Sequence, residues 1–273
     1  MKEEDYPPQE PLGDLALAYR AVALEKAAGI TGIDASYGED PYQSVAVYPA
    51  DVPNGEVMMH IHGGGWTSGY KEWMAYLAPP LNALGVTYVS VGYRLAPMHL
   101  FPAGVDDCMD AVAWVYHHIA EHGGDPKRIF IGGHSAGGHY ASLLAVRRDW
   151  QAGREVPDDV IRGCLPVSGV FDFGENSGMS MQPRFLNGDA NIVPASPVSN
   201  IQGTPPPFFI SYGEKDFPHL KTQAMDMHGK LAQAGTDVSR IEIPGADHLQ
   251  ASYACGDAEG PWLPKVVPWM QGH

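Results

Sequence analysis

Gly133-His134-Ser135-Ala136-Gly137 has the Gly-x-Ser-x-Gly spacing that can present a serine hydroxyl as a nucleophile. It sits between a compact apolar run at 128–132 and an Ala- and Leu-rich stretch reaching about 147. A sharp turn from strand into helix holds such a serine in strained backbone geometry, and flanking glycines let the chain cross itself without a Cβ clash. The serine then stands at a helix N-terminus, where unpaired N–H groups and the helix dipole favour developing negative charge. Alone, the pattern recurs by chance in glycine-rich turns carrying an exposed serine. The strand before it and the helix after it give it weight here.

A second motif, His62-Gly63-Gly64-Gly65-Trp66, follows a strand expected at 56–61. Three consecutive glycines favour neither helix nor strand, so their use is backbone access. A glycine loop of this kind can point N–H groups at the oxyanion of a tetrahedral intermediate. Gly64 and Gly65, with Ala136 after the nucleophile, would then supply three donors. Trp66 either lines the acyl or leaving-group pocket or covers the edge of the core.

A serine hydroxyl reacts poorly until a base takes its proton, and histidine suits that task near neutral pH. Of the twelve histidines, His248 follows the last expected core strand, and the order serine, acid, histidine requires a late one. His219, opening a helix, is the competitor; His228 lies mid-helix and His273 at the end of the chain. The acid belongs on the loop after the preceding strand, where Gly213-Glu214-Lys215-Asp216 follows 208–212. Asp216 there would hold the imidazole in the right tautomer, with Glu214 as the alternative. Asp247 adjoins His248, but neighbouring side chains diverge. His134 and His139 flank the serine, where a histidine more often packs against a loop than takes part in chemistry. His134 and Trp66 are the candidates for substrate contact.

These groups need a scaffold that brings them together. Strands are expected at 43–48, 56–61, 86–91, 128–132, 161–167, 208–212 and 238–243. Helices are expected at about 14–29, 104–122, from 136 to about 147, and 219–234. Strands alternating with helices imply an α/β fold: a mostly parallel central sheet with helices on both faces. The Gly-, Pro-, Ser- and Asn-rich stretch 172–207 reads as an excursion or small cap over the site. Residues 1–273 read as one domain, with no internal repeat. The N-terminal helix has two open roles, capping the site or forming a homodimer contact.

At 273 residues the chain can bury a sizeable core, and 44% apolar with 18% charged residues is ordinary for a globular protein. A formal net charge of −15 argues against nucleic acid and anionic membrane surfaces as partners. The first eight residues lack the apolar region of a secretory signal, and no run approaches the roughly 18 apolar residues of a membrane span. Cys108, Cys164 and Cys255 are widely spaced without a CxxC pair, which reads as free thiols in a reducing cytoplasm.

Taken together, these residues resemble the α/β-hydrolase superfamily over roughly 37–248, in the branch of hormone-sensitive-lipase-like carboxylesterases and kynurenine formamidases. Tyr93-Arg94-Leu95-Ala96-Pro97, then Phe101-Pro102-Ala103 and Asp106-Asp107, look like segments of that branch. The resemblance implies an oxyanion hole from Gly64, Gly65 and Ala136, a triad of Ser135, Asp216 and His248, and no metal or organic cofactor. Lipase-like esterases usually have aspartate before the nucleophile and HGF around the histidine; here His134 and His248-Leu249-Gln250 stand in those places. Kynurenine formamidases are similar in HGGxW, GHSAG and the segment 167–172, which tilts the resemblance towards them. Many acyl hydrolases share the fold and triad, so no single substrate follows.

The expected activity is cleavage of a small carboxylic ester or aryl formamide through an acyl-enzyme. Its rivals are a binding protein on a hydrolase scaffold, and a serine acyltransferase delivering to an alcohol other than water. A binding protein would be expected to have lost a triad member or loop glycine, and none is missing.

Overall fold

A computed structural model of the chain describes residues 1–179 and 182–273. Among them, eight strands form one sheet: β1 (Ile33–Ser36), β2 (Ser44–Tyr48), β3 (Gly55–Ile61), β4 (Thr87–Val91), β5 (Gly124–His134), β6 (Ile161–Val167), β7 (Phe208–Gly213) and β8 (Val238–Ile243). Their spatial order is β1-β2-β4-β3-β5-β6-β7-β8. From β4 to β8 every neighbouring pair is parallel, while β1–β2 and β2–β4 are antiparallel. The expected mostly parallel sheet is therefore present, with an antiparallel edge. Polar, exposed β1 has no apolar alternation to announce it in the sequence.

Alternation within the strands sends side chains to two cores. In β3, Val57, Met59 and Ile61 face the first, and Met58 faces the second. Three helices cover the first face: α1–α6 run in chain order, and these are α2 (Ala103–His118), α3 (Ala136–Val146) and α4 (Pro218–Gln233). The opposite face carries α1 (Asp14–Ala27), the 3₁₀ segment Lys71–Leu77, α5 (His248–Ala254) and α6 (Leu263–Gly272). Each large apolar side chain fully buried in these layers stabilises the fold by about 1.5–3 kcal/mol.

Helix α1 forms on propensity, since its sequence is rich in Ala and Leu, yet it leaves Leu15 and Leu17 exposed while burying Tyr19 and Ala23. Helices α5 and α6 were not expected from sequence. The first is only about two turns long and opens with His248, and the second contains Pro268, which ordinarily argues against a helix. The excursion expected at 172–207 is partly ordered into short helical turns at Gln182–Phe185, Ile192–Ala195 and Pro197–Ser199. It buries Phe173, Phe185, Leu186 and Ala195 in the first core. Residues 180 and 181 of that stretch lie outside the described residues.

Strand β3 pairs with β4 on one side and β5 on the other, so successive connections leave it in opposite directions. A crevice opens at the carboxyl ends of strands where such a reversal occurs. The glycine loop leaves the end of β3 there and Ser135 leaves the end of β5.

Candidate active site

Ser135 has φ 54° and ψ −116°, a left-handed conformation that its neighbours hold in place. Its N–H donates to the Val167 carbonyl at 2.9 Å, and its carbonyl accepts from His139 N–H at 3.0 Å. The flanking glycines are steric necessities. A Cβ on Gly133 would stand 2.4 Å from the Gly137 carbonyl carbon, and one on Gly137 would stand 2.0 Å from the Ile61 carbonyl oxygen. The Ser135 turn thus fits against the end of β3 because both positions lack side chains.

His248 opens α5, and its imidazole lies between two partners. Nε2 is 3.1 Å from Ser135 Oγ, and Nδ1 is 2.9 Å from Asp216 Oδ1. Asp216 is nearly fully buried. Burial pushes its carboxyl up, but the hydrogen bond and charge of His248, with further bonds from Ser168 and the Phe217 N–H, outweigh that and hold it at about 2. Ser168 Oγ donates to Oδ2 at 2.5 Å, and Phe217 N–H donates to Oδ1 at 2.8 Å. An ionised Asp216 facing Nδ1 places the proton on that nitrogen and leaves Nε2 to accept from Ser135.

The rival assignments are occupied elsewhere. Asp247 caps α5, accepting from the Leu249 and Gln250 N–H groups. Glu214 accepts from Gly245 N–H at 2.6 Å. His219 stacks on Phe217, with ring centres 5.7 Å apart. Ser168 was not singled out in the sequence; it stood there only as a member of the segment 167–172.

The glycine loop is held from outside. Gly64, Gly65 and Trp66 have φ of 112°, 61° and 64°, a left-handed run that glycine tolerates best. His62 is buried, which pushes its imidazole down to about 4, so the neutral ring donates Nδ1–H to the Gly63 carbonyl at 2.6 Å. The Gly64 carbonyl accepts from Ser68 N–H at 3.1 Å, Ser68 Oγ at 3.0 Å and Thr67 N–H at 3.2 Å. A trans peptide carries its N–H opposite its C=O. The Gly64 N–H therefore points away from the His62 ring, and the Gly65 N–H away from Ser68.

The structure corrects one of the two candidates for substrate contact and places the other in the cleft lining. Trp66 does not line the cleft. Its indole is 2% exposed, stacks on Phe185 at 4.4 Å and donates Nε1–H to His139 Nδ1 at 3.1 Å. His139 in turn bonds the Ala195 carbonyl through Nε2 at 2.6 Å. Trp66 therefore anchors the glycine loop to the core, and its position one residue beyond the glycines turns it inward. His134 reaches the cleft floor but is 3% exposed. Burial and the neighbouring His248 push it down to about 3, and its neutral ring donates Nε2–H to the His248 carbonyl at 2.9 Å. Tyr19 of α1 stacks on its other side at 5.8 Å. His134 braces His248 more than it offers surface to a ligand.

A cleft of about 380 Å³ lies over Ser135. The glycine loop, Ser68, His134, His248 and Leu249 form its floor, and Pro11, Leu12, Leu15 and Ala16 form an apolar wall. Arg184 of the excursion lies at its rim and pairs with Glu10. The start of α1 and the strap before it thus wall the cleft, a contribution that helix propensity alone could not reveal. Among the described residues no cluster of His, Cys, Asp or Glu could hold a metal ion, and no helix is long and apolar enough to cross a membrane.

Comparison with known proteins agrees with this fold. A sequence-family profile described as an alpha/beta hydrolase fold matches residues 58–252. Esterase LipQ of Mycobacterium tuberculosis (strain ATCC 25618 / H37Rv) is 35% identical over 208 residues, covering 70% of this chain and 49% of that protein. The chain spans about half the length of such mycobacterial relatives. Kynurenine formamidase of Salmo salar is 28% identical over 244 residues, covering 82% of this chain and 78% of that protein. The solved esterase of Pyrobaculum calidifontis superposes with a TM-score of 0.73 at 21% identity, over 90% of this chain and 88% of that one. At that identity the likeness speaks for the fold alone.

Proposed function

This chain belongs to the family of the alpha/beta hydrolase fold, and from that premise we propose that it is a serine hydrolase of small carboxylic esters. The observation that carries the reading is the continuous line Ser135 Oγ, His248, Asp216, with contacts of 3.1 and 2.9 Å, whose first two members line the cleft. His248 Nε2 takes the Ser135 proton as Oγ attacks the substrate carbonyl carbon. The carbonyl oxygen becomes an oxyanion held by the N–H groups of Gly64, Gly65 and Ala136. The N–H of Ala136, first in α3, has no partner within the helix. Removing one such donor costs about 3–4 kcal/mol of transition-state stabilisation in a comparable serine hydrolase. His248 then gives its proton to the departing alkoxide, and water attacks the acyl-enzyme by the same route to release acid and free Ser135.

A second reading, an aryl formamide as substrate, is favoured by the Salmo salar relative, which is matched over far more of its length than the mycobacterial esterases are. Histidine before the nucleophile fits the same branch. The two readings share one mechanism and differ in the leaving group, an aryl amine in place of an alkoxide.

One comparison separates them. Turnover of p-nitrophenyl acetate and butyrate is measured beside N-formylkynurenine, with Ser135→Ala as control. Ester hydrolysis that dominates supports the first reading; a kcat/KM for the formamide far above the esters replaces it with the second. Full turnover in Ser135→Ala would sink both.

A further inference from the structure

We infer that Gln9, on the strap ahead of α1, is a positioning residue for the oxyanion loop; the inference rests on the serine-hydrolase reading. Gln9 Nε2–H donates to the Gly69 carbonyl at 2.8 Å, and Gly69 N–H donates to Gln9 Oε1 at 2.9 Å. This paired contact satisfies both backbone groups of Gly69 with one side chain, 60 residues away in sequence. It also fixes the amide orientation, because only the oxygen can face an N–H.

Gly69 sits where its backbone can govern the loop. It has φ 111°, and a Cβ there would stand 2.6 Å from His62 Nδ1 and 2.7 Å from the Gly63 carbonyl oxygen. Its backbone is thus packed directly on the hydrogen bond that orients the Gly64 N–H. The residue before it, Ser68, makes two of the three bonds that orient the Gly65 N–H, and Thr67 makes the third. Displacing Gly69 therefore disturbs both peptide planes at once. Three glycines carry no side chains with which to hold themselves, so their aim depends on such outside contacts. The strap has a firm footing: Tyr42 donates its hydroxyl to the Pro7 carbonyl at 2.9 Å, and buried Tyr6 bonds Glu72 at 2.8 Å.

Small displacements matter because donors stabilise an oxyanion only when aimed at it in advance, and a misplacement of about 1 Å can cost on the order of 100-fold in rate. The test uses the full chain with Gln9→Ala and Gln9→Met, the second filling the space without restoring the bonds. Kinetics with p-nitrophenyl butyrate are read beside inhibition by an aryl trifluoromethyl ketone. That probe adds Ser135 Oγ at its carbonyl carbon, passes the proton to His248 and leaves an oxyanion in the hole. The expected result is a roughly tenfold fall in kcat, KM within about twofold, and an equal fall in trifluoromethyl ketone affinity. Inhibition by the matching secondary alcohol, which forms no oxyanion, should stay unchanged.

An unaltered kcat and ketone affinity in Gln9→Met, even with a lowered melting temperature, would overturn the inference, since Gln9 would then serve the fold alone. Wild-type protein that neither turns over esters nor binds the ketone would overturn the serine-hydrolase reading itself, and that outcome needs no variant.

Discussion

On the proposed serine mechanism, Ser135 acts only while His248 keeps its Nε2 lone pair turned towards it, and two groups share that duty. Asp216 holds Nδ1, and His134 holds the backbone carbonyl of the same residue. Asp216→Asn keeps the shape but removes the charge that fixes the tautomer, so kcat should fall about 10⁴-fold while KM changes little. Steady-state kinetics check this, and a loss below tenfold would mean that another group sets the tautomer. Ser168 steadies the far oxygen of Asp216. Ser168→Ala should lower kcat about three- to tenfold, with thermal stability reduced by about 1.5–3 kcal/mol, the usual net worth of a hydrogen bond to a charged group. Unchanged kcat in that variant would reduce Ser168 to a packing residue.

The turn between β5 and α3 tolerates no added atom. Gly137→Ala should abolish activity and depress the urea midpoint sharply, because its Cβ would meet the Ile61 and His62 carbonyl oxygens at 2.0 and 2.6 Å. Gly153→Ala has nothing within 4 Å of the new methyl group and should leave both unchanged. Similar urea midpoints for the two variants would contradict the close crossing of β3 and α3. This turn was legible in the sequence because its requirements are local: a strand, two glycines and a helix lie within a few residues. The strand ends that carry Asp216 and His248 were legible for the same reason. The strap was not. Gln9 lies in a polar, proline-rich stretch, and its value comes from a partner 60 residues away that no periodicity encodes. Which of the two roles open to Trp66 holds was not legible, because adjacency to the glycine loop says nothing about which way an indole turns. Strand β1 and helix α6 escaped because tertiary packing overrode weak propensity.

Burial of histidine is a property of the molecule as a whole. His60, His62, His134 and His139 are each fully buried, and burial pushes them from 6.5 to about 3, 4, 3 and 4. The unfolded chain therefore binds protons that the folded chain refuses. Stability is fully present above pH 6.5 and is lost as pH falls from there towards 3–4. At pH 5.5 each contributes about 1 kcal/mol of destabilisation, several kcal/mol in all. Urea unfolding at pH 7.5 and 5.5 should show a clearly lower midpoint at the acidic value, and equal midpoints would refute it. His60 has no hydrogen-bond partner at either ring nitrogen among the described residues. His60→Leu should accordingly hold or raise the midpoint at pH 7.5 and flatten its acid slope. The contact between Ser135 and His248 joins residues 113 positions apart, and the Tyr253 hydroxyl reaches back 234 positions to the Tyr19 carbonyl beside the cleft. Loops of that length close late, after local helices and turns have formed. Under the proposed mechanism, turnover is available only to a chain whose beginning, middle and end have met, so the reaction itself would report completed folding. During refolding, ester hydrolysis should return with the slowest phase and trail the recovery of helical circular dichroism.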